Sequence, residues 1–352
     1  MTTAFMGKLI AAVVALSVGL PVAAGWAQGA GTAAPISLRG AGTTFPAPLY
    51  KKWIDVYQAA HQNVSISYSA VGSGEGIKRF LAETVDFAGS DENLSEKDAA
   101  KVEAGVATIP ATAGTIVLAY NIPGVTGEIR LPRDVYPEIF AGTIRRWNDP
   151  RIQAANPGIR FPNRDIAVVA RLDSSGTTAA FTRHLAAADP SWRARGLGVG
   201  KIVAWPGSTM LAPGNEGVAA RIKISEGAIG YVEYGFAKRL GLPMAALQNK
   251  SGQFVTPSEA SAQLALSARV VEVNELERSV IDPTAANAYP IVSYSWLFFY
   301  RHYRDPTKAV ALRDFVAWGL AEGQKYGVEL GYVPLSADVV ALGRQVLDTV
   351  AK

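Results

Sequence analysis

The chain has 352 residues, of which 34 are glycine, 20 are proline and none is cysteine. Disulfide scaffolds, thiol-dependent enzymes and cysteine-ligated metal sites are therefore excluded. A hydrophobic fraction of 49% with 18% charged residues predicts a globular chain long enough for about two domains. The net charge of +4 is too small and too evenly spread to indicate a nucleic-acid partner.

The N-terminus has the pattern of a cleaved secretory signal. Lys8 precedes an uncharged apolar run at 9–20, and small residues follow it. This run is shorter than the about 20 residues that a membrane-spanning helix needs, which favours a signal over an uncleaved anchor. We therefore predict a signal peptide at 1–27, a flexible linker at 28–37 and a periplasmic location.

The apolar periodicity then alternates between strand and helix. Pro46 suits the first turn of a helix that carries Leu49 and Trp53 on one face. In chain order, the predicted elements are a helix at 46–60, a strand at 64–70, a short helix at 77–81, strands at 85–88 and 166–170, and a helix that begins near Thr177. The stretches at 121–165 and 206–217 are predicted to be loops or peripheral turns. Such alternation predicts α/β domains whose largely parallel sheets are covered by helices.

Three polar turns that contain glycine each lie between a predicted strand and a predicted helix. They are 40–45 (GAGTTF), 71–76 (VGSGEG) and 171–177 (RLDSSGT). A helix N-terminus offers unpaired N–H groups and about half a positive charge, glycine permits close approach, and Ser or Thr adds a hydroxyl. Ser and Thr are also ordinary N-caps of helices that bind nothing. Three such turns in one chain nevertheless indicate an anion site.

Two charged residues refine this hypothesis. Arg171 offers the planar, fixed charge that suits an oxyanion, and Asp173 is placed to hold its guanidinium; a solvated surface pair is the alternative. Asp91 follows the strand at 85–88, and a carboxylate beside an anion is tolerated when a proton lies between the two. Phosphate at neutral pH has that proton and sulfate does not, so Asp91 would select for phosphate. A turn aspartate that caps nearby N–H groups is the other interpretation.

Five segments together resemble the periplasmic phosphate-binding proteins of high-affinity phosphate ABC transporters. The resemblance runs from about residue 38 to the C-terminus. Its segments are GAGTTFPAP at 40–48, TVDFAGSD at 84–91, IRRWND at 144–149, RLDSSGT at 171–177 and GAIGYVEY at 227–234. It implies a two-lobed type II periplasmic binding protein, each lobe a mainly parallel sheet flanked by helices. Lobe 1 would comprise 38–112 and 292–352, and lobe 2 would comprise 113–291.

The resemblance also implies the ligand and the residues that bind it. Phosphate would lie between the lobes, with Arg171 held by Asp173. The implied phosphate-binding residues are Thr43, Thr44, Phe45, Ser73, Asp91, Arg171, Ser175, Gly176 and Thr177. The implied partners are inorganic phosphate, with arsenate as a close mimic, and the permease subunits of the transporter. The expected protein is a monomer with no cofactor, no metal and no enzymatic activity.

Three alternatives stay open at this stage. Glu75 stands where the family has small residues, and it would weaken anion binding if it faced the ligand rather than solvent. Ser175 could be proposed as the nucleophile of a phosphatase, although none of the histidines (His61, His184 and His302) lies in the three turns. A binding protein for sulfate, molybdate or an organic phosphate is the third. The aromatic run at 294–300 is predicted to be a buried strand rather than a stacking platform.

Overall fold

The computed structural model describes residues 34–267 and 272–350, so the predicted signal peptide and most of the predicted linker lie outside the described residues. The strands are β1 (Ile36–Gly42), β2 (Val64–Ala70), β3 (Phe87–Ser90), β4 (Val106–Asn121), β5 (Arg130–Leu131), β6 (Ala167–Arg171), β7 (Met210–Ala212), β8 (Ala228–Glu233), β9 (Ala246–Gln248), β10 (Phe254–Val255) and β11 (Val292–Tyr300).

Helices cover the sheets. They are α1 (Ala47–Ala60), α2 (Ser73–Leu81), α3 (Glu96–Ala99), α4 (Tyr136–Phe140), α5 (Pro150–Ala155), α6 (Gly176–Ala188), α7 (Gly214–Ile224), α8 (Tyr234–Arg239), α9 (Glu259–Ala265), α10 (Leu276–Ser279), α11 (Pro306–Leu320), α12 (Lys325–Leu330) and α13 (Ala337–Leu347). Short 3₁₀ turns lie at Arg193–Arg195, Val273–Glu275 and Glu322–Gln324. Among the described helices, none is both long and apolar enough to cross a membrane.

One eight-stranded sheet runs through the molecule in the order β2-β1-β3-β11-β4-β8-β6-β7. Each half of the sheet contains parallel pairs. In one half β2 and β3 both pair with β1, and in the other half β7 and β8 both pair with β6. The antiparallel strand pairs of this eight-stranded sheet all involve β4 or β11. A smaller sheet has the order β10-β9-β5. The chain is thus an α/β protein in which parallel units are joined through two long antiparallel strands.

Strand β4 changes its partner half-way along and so divides the sheet into two lobes. Its first part pairs with β11 up to Thr115, and its second part pairs with β8 from Ile116 onward. We call the half with β1, β2, β3 and β11 lobe 1 and the half with β6, β7 and β8 lobe 2. The sheet is covered on both faces here, because every residue of β8 and β11 is buried. The predicted two-lobed α/β fold is confirmed.

Most predicted elements are present, with shifts that have local causes. The predicted strand at 64–70 is β2, and α1 and α6 start within a residue of the predicted positions. Strand β3 begins at Phe87 rather than residue 85; just before it, the Asp86 side chain accepts the backbone N–H of Arg39 (2.7 Å). The prediction of loops at 206–217 is wrong in part, since β7 and the start of α7 lie there. The prediction of loops at 121–165 is also wrong in part, since β5, α4 and α5 lie there.

Candidate functional site

The three glycine turns meet at the carboxyl ends of β1, β2 and β6, where α1, α2 and α6 begin. Thr44, Ser73 and Thr177, one from each turn, are all buried. Within the described chain, neither α1 nor α2 has a side-chain cap at its N-terminus. The N-termini of these helices thus lie around one buried polar cluster, which is the kind of arrangement that binds anions.

Asp91 lies at the centre of this cluster and is 1% exposed. Thr43 donates its hydroxyl to the carboxylate at 2.8 Å, Ser295 donates at 2.9 Å and Thr177 at 3.1 Å. Burial raises the pKa of Asp91 to about 6, while the hydroxyl donors and Arg171 oppose the rise. With this pKa the Asp91 carboxylate is largely ionised at neutral pH, so it can accept a hydrogen bond from a protonated oxyanion.

Arg171 is the cation of the cluster and is 5% exposed. Asp173 holds it in a fork, with Nε donating to Oδ1 at 2.9 Å and Nη2 to Oδ2 at 2.5 Å. Burial pushes the pKa of Asp173 upward, but the bonds and charge of Arg171 outweigh this, so the pKa lies below its usual value. Nη1 of Arg171 also reaches Thr177 Oγ1 at 3.3 Å. The guanidinium is thereby fixed toward the same hydroxyl that contacts Asp91.

The two lobes touch directly at the cluster. Ser73 of lobe 1 accepts the backbone N–H of Gly176 of lobe 2 at 3.1 Å, and Gly74 donates its N–H to the carbonyl of Ser174 at 2.9 Å. A Cβ at Gly176 would lie 2.5 Å from Ser73 Oγ and 2.8 Å from atoms of Asp91. Any side chain there would hold the lobes apart, so glycine is required by close approach.

Two of the predicted residues contribute differently from the rest. The ring of Phe45 is fully buried, and the backbone N–H of Phe45 donates to Thr43 Oγ1 at 3.1 Å. Ser175 caps α6 by accepting the N–H of Thr178 at 3.1 Å, and its own N–H donates to the carbonyl of Lys201 at 2.9 Å. Both polar groups of Ser175 are thus engaged inside lobe 2. Thr43, Thr44, Ser73, Asp91, Arg171, Gly176 and Thr177 are the predicted residues that the structure brings together.

Residues outside the three motifs complete the cluster, and the sequence did not reveal them. Asn215, at the start of α7, donates both its backbone N–H and its side-chain amide to Thr44 Oγ1. Ser295 of β11 lies beside a register shift in the pairing of β11 with β4 and bonds to Asp91. Tyr231 of β8 accepts the backbone N–H of Arg171 at 3.1 Å. Two sequence signals were available for these residues. One was a Gly-Asn pair, which can begin a helix, and the other was a pair of serines two positions apart in an aromatic strand.

Glu75 faces away from the cluster. Its side chain is 39% exposed and accepts a 2.9 Å bond from Arg79 Nε, which lowers the pKa of Glu75. The interpretation of Glu75 as a solvent-facing, first-turn acid therefore fits the structure better than a ligand-facing role.

His184 is a buried packing residue rather than a surface residue. Its Nε2 lies 2.8 Å from Tyr136 Oη, and burial lowers the pKa of His184 to about 4. Among the described residues, no group of three or more His, Asp or Glu side chains could hold a metal ion.

The fold and the cluster together define a solute-binding protein of the periplasmic binding protein class. The family model described as a PBP superfamily domain matches residues 23–322. The chain is 36% identical over 307 residues to the phosphate-binding protein PstS of Pasteurella multocida, covering 86% of this chain and 88% of that protein. It is 38% identical over 331 residues to PstS of Methanocaldococcus jannaschii, covering 88% and 85%. The chain therefore belongs to the PstS family of phosphate-binding proteins.

Solved structures share the fold. A high-affinity periplasmic phosphate-binding protein (PfluDING) bound with phosphate is similar, with a TM-score of 0.71 at 20% identity, covering 90% of this chain and 99% of that one. An ABC-type phosphate transport receptor from Vibrio cholerae has a TM-score of 0.56 at 16% identity, covering 84% and 99%. At these identities the likeness concerns the fold alone.

Proposed function

We propose that this chain is a periplasmic solute-binding protein that captures inorganic phosphate and delivers it to the permease subunits of an ABC transporter. The observation that carries the proposal is a buried carboxylate, Asp91, facing a fixed guanidinium, Arg171, across the hydroxyl of Thr177, which donates to Asp91. Its PstS relatives are named as phosphate-binding proteins.

The chemistry of the cluster favours an oxyanion that still carries a proton. Arg171 supplies one positive charge, and the N-termini of α1, α2 and α6 add donors without adding a titratable group. Asp91 would repel a fully deprotonated ion but accept the proton of hydrogen phosphate. The proposed ligand set is Thr43, Thr44, Phe45, Ser73, Asp91, Arg171, Ser175, Gly176 and Thr177, with Asp173 supporting Arg171.

The proposed lobe limits are 38–112 and 292–352 for lobe 1 and 113–291 for lobe 2. The change of partner along β4 supports a limit in this strand, although it falls between Thr115 and Ile116, three residues later. The proposal includes export by the signal peptide at 1–27 and action as a monomer. Strand β1 begins at Ile36, so the flexible part of the linker would end before that residue. Mass determination of the exported protein tests the removal of the signal peptide, and light scattering tests the monomeric state.

Titration calorimetry of the mature protein tests the ligand. We expect one phosphate to bind per chain, arsenate to bind in the same site because it has the same shape and proton count, and sulfate and molybdate to give no heat at neutral pH. Absence of phosphate binding, or binding of sulfate as strong as that of phosphate, would contradict the proposal.

Members of this family bind their solute, and we propose that this chain does not hydrolyse phosphate esters. The position of Ser175 as the cap of α6 supports this, because its hydroxyl is committed to a backbone N–H and no base contacts it among the described residues. Release of phosphate from a phosphomonoester by the purified protein, abolished in Ser175→Ala, would refute a purely binding role.

A further inference from the structure

Asn215 is a buried polar residue that the family motifs do not include, and it reaches from lobe 2 into lobe 1. It lies in the first turn of α7 and is fully buried. Its backbone N–H donates to Thr44 Oγ1 at 3.1 Å and its side-chain Nδ2 to the same oxygen at 3.0 Å. Two donors from one residue therefore converge on one hydroxyl of the opposite lobe.

The orientation of the Asn215 amide is fixed by a third bond. The backbone N–H of Glu233, at the end of β8, donates to Asn215 Oδ1 at 3.0 Å. Because only the carbonyl oxygen of an amide can accept, the NH₂ group must face Thr44, and its other contact is Thr177 Oγ1 at 3.4 Å. Asn215 therefore acts as a donor toward hydroxyls of both lobes.

These bonds determine where the Thr44 hydroxyl can point its proton. A hydroxyl oxygen has two lone pairs and one hydrogen. Both lone pairs of Thr44 Oγ1 face donors of Asn215, so the hydrogen is left free to donate elsewhere. In the absence of Asn215 the hydroxyl would rotate and share its donor and acceptor roles among neighbours.

We propose that Asn215 is a positioning residue for phosphate binding, which holds the Thr44 hydroxyl with its proton presented to the bound anion. The proposal rests on the proposed function, because it concerns the same site. Since Asn215 and Thr44 belong to different lobes, the bonds form only when the lobes are together. Asn215 thus couples the closure of the lobes to the orientation of one ligand donor.

The test uses phosphate titrations of wild type, Asn215→Ala, Asn215→Asp, Thr44→Val and the double variant Asn215→Ala/Thr44→Val. Asn215→Asp keeps an acceptor for the Glu233 N–H and the backbone donor to Thr44, but replaces the side-chain NH₂ donor by a carboxylate oxygen. That carboxylate would draw the Thr44 proton toward itself. Asn156→Asp is the matched control, because Asn156 is also buried in lobe 2, donates to backbone carbonyls of Arg130 and Ile152 and accepts one N–H.

We expect Asn215→Ala to weaken phosphate binding roughly 3- to 10-fold, the value of about one hydrogen bond. We expect Asn215→Asp to weaken it more than Asn215→Ala does, although it is closer in shape to asparagine. In the Thr44→Val background, Asn215→Ala should have almost no further effect. Asn156→Asp should lower the melting temperature and leave phosphate affinity unchanged.

Each result decides the proposal. Two results would assign Asn215 a packing role and overturn the proposal. One is a loss of phosphate affinity from Asn215→Ala that is equally large in the Thr44→Val background. The other is a smaller loss of affinity from Asn215→Asp than from Asn215→Ala. Wild-type protein that binds no phosphate would overturn the proposed function and this inference together, whereas the first two results leave the function intact. Melting curves of the ligand-free variants identify any that do not fold. If Asn215→Ala does not fold, Asn215→Asp takes its place in the cycle with Thr44→Val, and a loss of phosphate affinity that is equally large in that background overturns the proposal.

Discussion

An ionic contact beside the cluster should control how long the ligand stays bound. Glu92, next to Asp91 in lobe 1, accepts from Arg183 Nη1 at 3.0 Å and also pairs with Lys201, and both cations belong to lobe 2. Arg183 in turn pairs with Glu277 at 2.5 Å. The side chains of Glu92 and Arg183 are only 21% and 19% exposed. We predict that Glu92→Gln weakens the closed arrangement of the lobes.

The size of the effect follows from the geometry. Exposed ion pairs contribute about 0–1 kcal/mol each, and the Glu92 pairs are more shielded than that. Loss of two interlobe pairs should therefore cost about 1–2 kcal/mol, or about 5- to 30-fold. Because Arg183 keeps Glu277 and Lys201 can turn to solvent, no unpaired buried charge remains. The cost falls on the closed state, so it should appear as faster release of the ligand.

Stopped-flow measurement of phosphate release at low and high salt is the assay. We expect the release rate of Glu92→Gln to exceed that of wild type at low salt, and the difference to narrow at about 1 M salt, where the pairs are screened. Glu83→Gln is the matched control, because Glu83 pairs with the exposed Arg304 within lobe 1 and should leave release unchanged. Equal release rates for wild type and Glu92→Gln at low salt would refute the reasoning.

Three further predictions concern single charged residues. Arg171→Ala should weaken phosphate binding roughly 10- to 150-fold, since one charge-assisted hydrogen bond contributes roughly 1.5–3 kcal/mol; an unchanged dissociation constant would remove Arg171 from the ligand set. Asp91→Asn replaces an acceptor by a donor and removes repulsion, so calorimetry should show sulfate affinity rising more than phosphate affinity; continued exclusion of sulfate with normal phosphate binding would show that Asp91 is not the proton acceptor. Burial raises the pKa of the Glu233 carboxyl from 4.5 to about 8. Between these two pH values the folded state holds a proton that the unfolded state has released. The contribution of this carboxyl to the free energy of unfolding is therefore complete below pH 4.5 and is lost as the pH rises through 8. Glu233→Gln should therefore flatten the decline of ligand-free stability between about pH 5 and pH 9 in denaturant titrations, whereas parallel curves would contradict this assignment.

The local parts of the site could be predicted from the sequence. Thr44 and Ser73 each lie in a short turn between a strand and a helix, and the strand, glycine and helix signals are all within a few residues. Arg171 and Asp173 are two residues apart, so their contact is also local. Such motifs specify their own geometry, because the turn fixes where the helix N-terminus points.

The long-range parts could not be predicted in this way. Asn215 meets Thr44 across 171 positions of sequence, and Ser295 meets Asp91 across 204. Four of the five residues at 213–217 (PGNEG) are types common in turns, so they indicated a loop, although the same residue types also begin α7. Only the pairing of β11 with β3 and β4 places Ser295 at the cluster, and no local pattern encodes that pairing.

The position of β11 also sets the order in which this chain can fold. In lobe 1, β11 lies between β3 and β4 and pairs with both, yet it is made about 170 residues after β4 ends. Until Val292–Tyr300 has been synthesised, β3 and β4 face a gap that nine buried residues must fill. The parallel β6, β7 and β8 of lobe 2 have no such requirement. The sheet of lobe 1 can consequently be completed only when nearly the whole chain is present.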